Sequence, residues 1–255
     1  MTMPTKAIVR APGQTYPEAL TRQDPRPPVD LDRARTQHAE YVAALRRTGL
    51  TVSELPPDGF HSDAVFVQDR VCVLDGRGIV GRSAVASRDG EEGPILEVLR
   101  RSIPIAAMRP PAFLDWGDVL IAEDRLFVGL SERSNEASAE QLQEMLAPRW
   151  KVTAVPTPAD LLHLLSGCSY LGGGLLLAVD SLHSFAKENG MEVLAVPPEE
   201  AGAANTLALG PDVIVPAGYP ETETRIARTG RRVHPVPVSE FEKRDGGVTC
   251  LSILY

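Results

Sequence analysis

Cysteine is scarce: Cys72, Cys168 and Cys250 are the only three among 255 residues. An odd number at such wide spacing fits neither a disulfide framework nor a C-x-x-C metal clip. Positive charge is also in deficit. Lys and Arg number 26 against 34 Asp and Glu, a formal net charge of −8, which repels a phosphate backbone and argues against nucleic acid as a partner. No stretch approaches the roughly 18 apolar residues of a membrane span, and Met1 to Pro12 has no apolar signal-peptide core, so a cytoplasmic protein without a membrane partner is expected. The histidines, His38, His61, His163, His183 and His234, share no ligand spacing such as H-E-x-x-H, and no metal is expected.

With 43% hydrophobic and 24% charged residues the chain can bury a real core. Gly and Pro are spread along it and mark no linker, so residues 1–255 are expected to form a single domain. A coarse pattern recurs, in which two apolar runs flank a turn and a helical stretch follows. It appears as Val65–Val67 and Val71–Leu74 before a helix face at Ile95, Leu96, Val98 and Leu99. It returns as Val119–Ile121 and Leu126–Val128 before a helix capped by Ser134-Asn135, and as Tyr170-Leu171 and Leu175–Val179 before a helix near Ser181–Asn189. Thr206–Leu209 and Val213–Val215 precede a helix near Thr222–Arg228. A last strand, Val248–Leu254, has no following helix, whereas Ala7–Val9 leads to one bearing Ala34, Tyr41, Val42 and Leu45. Joined across the termini they make a fifth unit. The expected fold is therefore α/β, a closed ring of about five ββαβ-like units, and the recurrent hairpins argue against an eight-stranded α/β barrel.

Cys250 follows Asp245-Gly246-Gly247-Val248-Thr249, where the glycines permit close backbone approach and could present a thiol to a cavity. A cysteine there also serves as a small buried hydrophobe. His163, within Leu161-Leu162-His163-Leu164-Leu165, is expected to be desolvated, as a reactive imidazole or as a hydrogen-bonded core residue. Carboxylates stand out in Ser62-Asp63, Gln68-Asp69 and Asp115-Trp116-Gly117-Asp118. Turn formation explains each singly, and their convergence on one pocket would make a cation site. Arg88 and Arg133 could clamp a carboxylate by paired hydrogen bonds or sit solvated on the surface.

Taken in order, Pro17–Leu20, Leu55–Asp58, Ser62–Asp69, Gly117–Leu120, Val128–Asn135, Leu162–Leu164 and Asp245–Cys250 resemble the dimethylarginine dimethylaminohydrolase family of the guanidino-group modifying, or pentein, superfamily. The resemblance implies a five-bladed α/β propeller, the pentein fold, with a central active site. It implies hydrolysis of N-omega-methylated arginines to citrulline and a methylated amine by covalent cysteine catalysis, without a cofactor and on a small-molecule substrate. By the same resemblance Cys250 is the nucleophile and His163 the general acid and base. Asp115 is expected near His163 and the reacting nitrogen, and Asp69 against the guanidinium. Asp63, Arg88 and Arg133 are expected to hold the amino-acid end, Leu20 to lie in a lid loop, and Arg244 to offer its backbone carbonyl. Gln68 departs from the family, which commonly carries Glu there, so substrate range is where a difference is expected. Trp116 stands in a loop that is often small and could reshape the pocket. The alternatives are an arginine deiminase-type enzyme and a catalytically silent arginine-derivative binder. Oligomeric state is open between a monomer and a homodimer.

Overall fold

A computed structural model describes residues 3–255. The four internal hairpins form where apolar runs flank a turn. Val71–Leu74 pairs antiparallel with Arg77–Val80, Val119–Ala122 with Arg125–Leu130, Cys168–Gly172 with Leu175–Ala178, and Leu207–Leu209 with Asp212–Pro216. A helix follows the second strand in each case: Gly93–Leu99, Glu136–Leu146, His183–Glu188 and Pro220–Arg228. It returns the chain to a third strand parallel to the second, since a parallel neighbour is reached only by such a crossover. These third strands, Ile105–Ala107, Lys151–Pro156, Glu192–Ala195 and Arg232–Val236, lie at sheet edges and are largely half-exposed or exposed. Their hydropathy therefore carries little signal.

The fifth unit joins the two ends of the chain. Lys6–Arg10 pairs antiparallel with Ile253–Leu254 and parallel with Thr51–Leu55, reached through the helix Leu31–Arg47. Five three-stranded sheets with one common plan result, the expected five-unit α/β propeller.

Two expected strands are shorter than their apolar runs. Val65 and Phe66 lie in a loop leading to a 3-10 turn at Val67–Asp69, and Val248–Leu251 is also a 3-10 turn, leaving only Ile253–Leu254 as strand. Both belong to a set, because a 3-10 segment precedes the first strand of every unit, the others being Trp116–Asp118, Leu164–Ser166 and Pro198–Ala204. The five meet side by side: Val67–Asp69 touches Val248–Leu251 and Trp116–Asp118, which touches Leu164–Ser166, which touches Pro198–Ala204. Two hydrogen bonds between Asn205 and Thr249 close the circuit.

Each helix packs its apolar stripe on the sheets. Leu31–Arg47, capped by Asp30 accepting from Arg33 N, buries Ala34, Tyr41, Val42 and Leu45 in one cluster with Val9, Ile214 and Leu251. Trp116 points into the core between Leu74, Leu126 and Leu142, its indole N–H donating to Ile79 O at 3.0 Å, so it anchors its turn and does not reshape the pocket. Among the described residues no helix is long and apolar enough to cross a membrane.

Asn135 holds the second unit together. Its side chain accepts from Ser138 N at the start of Glu136–Leu146, accepts from Phe113 N and donates to Pro111 O. Asn135→Ala is expected to lower the unfolding free energy by about 1–2 kcal/mol, measured by urea unfolding.

Candidate active site

A cavity of about 110 Å³ opens where the five turns meet. Eight of the ten expected site residues line it: Leu20, Asp63, Asp69, Arg88, Arg133, His163, Arg244 and Cys250. They come from positions 20 to 250, and the thiol and imidazole arrive on different turns.

Cys250 sits in the turn Val248–Leu251, and Gly247 N–H donates to its Sγ at 3.4 Å. Gly247 is required there, since a Cβ would stand 2.3 Å from Asn205 Oδ1. Burial pushes the thiol pKa up to about 12, Asp69 adds to that, and the Gly247 N–H, the Thr249 hydroxyl and Arg88 act the other way. The resting sulfur is therefore a thiol, and a cation entering the cavity favours its ionisation.

His163 precedes the turn Leu164–Ser166 and is 7% exposed. Its Nδ1 lies 3.2 Å from Asp118 Oδ2, off the direction of an aligned hydrogen bond, so the contact is that of an ion pair. Asp118 is fixed in turn, its Oδ2 accepting from Ser131 Oγ and Ser134 Oγ and its Oδ1 from Leu164 N. Burial opposes protonation of His163, but Asp118, with Asp69 and Asp115 behind it, prevails and raises the imidazole pKa. Gly117 lets these groups close up, because a Cβ there would sit 2.9 Å from Asp69 Oδ1 and 3.0 Å from the His163 ring.

Four expectations need correction. Asp115 is near enough to His163 to raise its pKa, as expected, but it does not line the cavity, and the carboxylate against the ring nitrogen is Asp118. Asp115 is fully buried, 3.6 to 3.9 Å from guanidinium nitrogens of Arg70, Arg88 and Arg133, and burial raises its pKa. Gln68 is also outside the lining, because its Nε2 donates to Trp116 O at 2.9 Å and braces two turns together. Arg88 does line the cavity, yet its guanidinium is committed to the protein, donating to Asp69 Oδ2, both oxygens of Glu91 and Phe66 O. Trp116 lies in the core, as described.

Arg133 is the less engaged cation: its NH1 is 3.8 Å from Asp115 and the side chain is 15% exposed. Asp63 accepts from Leu20 N at 3.1 Å, and burial raises its pKa. Arg88 and His163 together outweigh burial at Asp69 and hold its pKa below the usual value. The loop over the cavity is closed by Arg22, which bonds Asp245, Leu161 O and Ala159 O, and by Arg244, whose guanidinium donates to Pro17 O and Pro27 O. The cavity thus combines a thiol, a protonatable imidazole, two carboxylates suited to a cation and an arginine suited to a carboxylate. Glu91 and Asn205 escaped the sequence reading, and Gly117 and Asp118 were read there only as part of a carboxylate-bearing turn. Only the Gly117-Asp118 pair gave a signal there, and it also reads as an ordinary turn.

Asp118→Asn removes the largest charge supporting the imidazolium, so the His163 pKa is expected to fall, observed by NMR titration of its ring. The sign for stability follows. A raised folded-state pKa contributes fully below the unfolded value of 6.5 and fades as pH climbs through the folded one. The variant should therefore lose most stability at acid pH and least at alkaline pH, and an unchanged His163 titration would refute the assignment.

No family profile matches the chain. It is 34% identical over 250 residues to the N(G),N(G)-dimethylarginine dimethylaminohydrolase of Pseudomonas aeruginosa, covering 97% of this chain and 98% of that one. The enzyme of the same name from Streptomyces coelicolor is 34% identical over 258 residues, covering 98% and 97%. A crystal structure of the Pseudomonas aeruginosa protein, a cysteine-to-serine mutant complexed with citrulline, superposes with a TM-score of 0.95 at 33% identity over 100% of both chains. Full-length similarity at this identity, on the same five-unit architecture, means that the chain belongs to the dimethylarginine dimethylaminohydrolase family of the pentein superfamily.

Proposed function

We propose that this protein hydrolyses N-omega-methylated arginines, asymmetric dimethylarginine and monomethylarginine, to L-citrulline and dimethylamine or methylamine, with residues 1–255 acting as one catalytic unit. The observation that carries the reading is the meeting of Cys250, His163, Asp63, Asp69 and Arg133 in one cavity. Relatives support it: one structure of the family holds citrulline, and another is a histidine-to-glycine variant as its adduct with S-methyl-L-thiocitrulline.

A guanidinium carbon is a poor electrophile, because delocalisation stabilises it, and it needs a strong nucleophile together with protonation of the leaving nitrogen. The entering cation lies beside Asp69 and offsets the burial that keeps Cys250 protonated, so the thiol loses its proton to solvent. The thiolate forms a C–S bond to the guanidinium carbon, giving a neutral tetrahedral adduct. His163 gives its proton to the methylated nitrogen, the C–N bond breaks, and the amine departs from an S-alkylthiouronium. The neutral imidazole then takes a proton from water as the oxygen bonds to the same carbon. Collapse breaks the C–S bond, returns the thiolate, and leaves citrulline once the added hydroxyl gives up its proton.

Arg133 takes the substrate carboxylate and Asp63 its ammonium, with Leu20 and the Arg244 carbonyl along the stem. Arg88, spent on Asp69 and Glu91, organises those carboxylates instead. Asp115 balances the three arginines around it. Gln68 takes a negative charge out of the cation site and makes a brace of it, which points to an altered preference among N-substituents more than to lost chemistry.

The test is to incubate the protein separately with asymmetric dimethylarginine, monomethylarginine and arginine, and to quantify citrulline and released amine. Citrulline with methylamine or dimethylamine is expected. Citrulline with ammonia from arginine alone would make the enzyme a deiminase, and ligand binding without citrulline would make it a binding protein. Cys250→Ser is expected to abolish citrulline formation while leaving ligand binding measurable by calorimetry, and His163→Gly to be severely impaired. Normal turnover by the serine variant would overturn the nucleophile.

A further inference from the structure

At the junction between the fourth and fifth units, where Leu209 and Ile214 pack in one cluster with Val248 and Leu251, the hydrogen bonds that reach Thr249 come from one side chain. Asn205, 7% exposed, follows the turn Pro198–Ala204 and uses both ends of its amide. Its Nδ2 donates to Leu165 O at 3.0 Å and to Thr249 Oγ1 at 2.8 Å, and its Oδ1 accepts from Thr249 N at 3.0 Å. Leu165 lies two residues after His163, Thr249 immediately precedes Cys250, and Gly247 packs so close to the amide that no Cβ fits. One side chain therefore touches the segment of the base, the residue before the nucleophile, and the glycine whose N–H meets the sulfur.

The donor and acceptor arithmetic gives this contact a direction. Thr249 Oγ1 already accepts from Asn205, so its own hydroxyl proton is directed elsewhere. That hydroxyl and the Gly247 N–H are the two neutral donors that draw the Cys250 pKa down against burial. Aspartate at 205 could not donate from either oxygen once ionised, and alanine would leave Thr249 N–H without its acceptor.

We propose that Asn205 is a positioning residue for this reaction, one that orients Thr249 and Gly247 around the Cys250 sulfur and ties them to the segment carrying His163. It acts through Thr249 and touches no substrate. The inference rests on Cys250 being the nucleophile, and it extends that reading by identifying what readies the thiol.

The experiment follows alkylation of Cys250 by iodoacetamide at fixed pH between about 7 and 9, below the thiol's own range, with the Cys250 peptide quantified by mass spectrometry. Asn205→Ala and Thr249→Val are each expected to slow alkylation about tenfold. Thr249→Ser, which keeps the hydroxyl, is expected to match the wild type, and the Asn205→Ala/Thr249→Val double variant to be no slower than either single one. The direction separates positioning from loosening, because a loosened turn exposes the thiol and speeds alkylation. In turnover, Asn205→Ala is expected to lower kcat about tenfold with KM within about twofold.

Faster or unchanged alkylation in Asn205→Ala, or additive effects in the double variant, would overturn the proposal. Should Asn205→Ala fail to fold, the contrast between Thr249→Val and Thr249→Ser decides, and equal rates for those two would also overturn it. Alkylation needs no substrate, so absence of citrulline from the wild type refutes the hydrolase reading alone and leaves the alkylation result to stand by itself.

Discussion

Five turns that converge on one point carry their polar side chains out of water together, and the rest of the site follows from how those groups neutralise one another. An isolated buried charge is too costly to keep. The described centre accordingly contains matched sets: Arg88 between Asp69 and Glu91, Asp115 among Arg70, Arg88 and Arg133, and Asp118 accepting from two hydroxyls and a backbone N–H while facing His163. The matching is incomplete where chemistry is needed. Arg133 has no hydrogen-bonded side-chain partner, and Asp63 faces the cavity with only Leu20 N donating to it.

The same burial acts with opposite sign on the two reactive groups. At Cys250 it prevails and holds a neutral thiol, while at His163 three carboxylates outweigh it and favour the imidazolium. On the proposed reading, a neutral thiol beside an imidazole whose protonation is favoured keeps the acid at hand and the nucleophile withheld. Entry of a cation changes the balance at the sulfur first, because an added positive charge stabilises the thiolate and disfavours a second cation beside it. On the same proposed reading, formation of the nucleophile is thereby coupled to the presence of a guanidinium, which spares an exposed thiolate in the absence of substrate.

Much of this architecture was legible in the residues. Hairpins such as Val119–Ala122 with Arg125–Leu130 bury both strands and so announce themselves by hydropathy, and the helix Leu31–Arg47 does so by its apolar stripe. The edge strands, such as Glu192–Ala195, bury too little to show. Val248–Leu251 read as strand because it is apolar, and hydropathy records burial without recording backbone shape. At the site, Cys250 and His163 stood out by residue type, whereas Asp115 and Asp118 flank the same turn and nothing in one dimension tells which of them reaches the imidazole. Trp116 misled for the same reason, its turn being central and its side chain peripheral. Asn205 had no signal at all, since its value lies in joining residues 40 and 44 positions away.

The location of the chain ends completes the argument. The first and last strands share a sheet, Ala7 opposite Leu254 and Ile8 opposite Ile253, so the turn bearing Cys250 is held from one side by the N-terminal strand. From behind, Tyr41 of the helix Leu31–Arg47 shares a hydrogen bond of 2.7 Å with Ser252. On the remaining flank, among the described residues, the side-chain hydrogen bonds to Thr249, the residue next to Cys250, come from Asn205. A two-residue strand is a weak anchor by itself. Fixing Cys250, the proposed nucleophile, close after two glycines therefore requires the flanking contacts, and a small, fully committed amide supplies one where a larger side chain would meet Gly247.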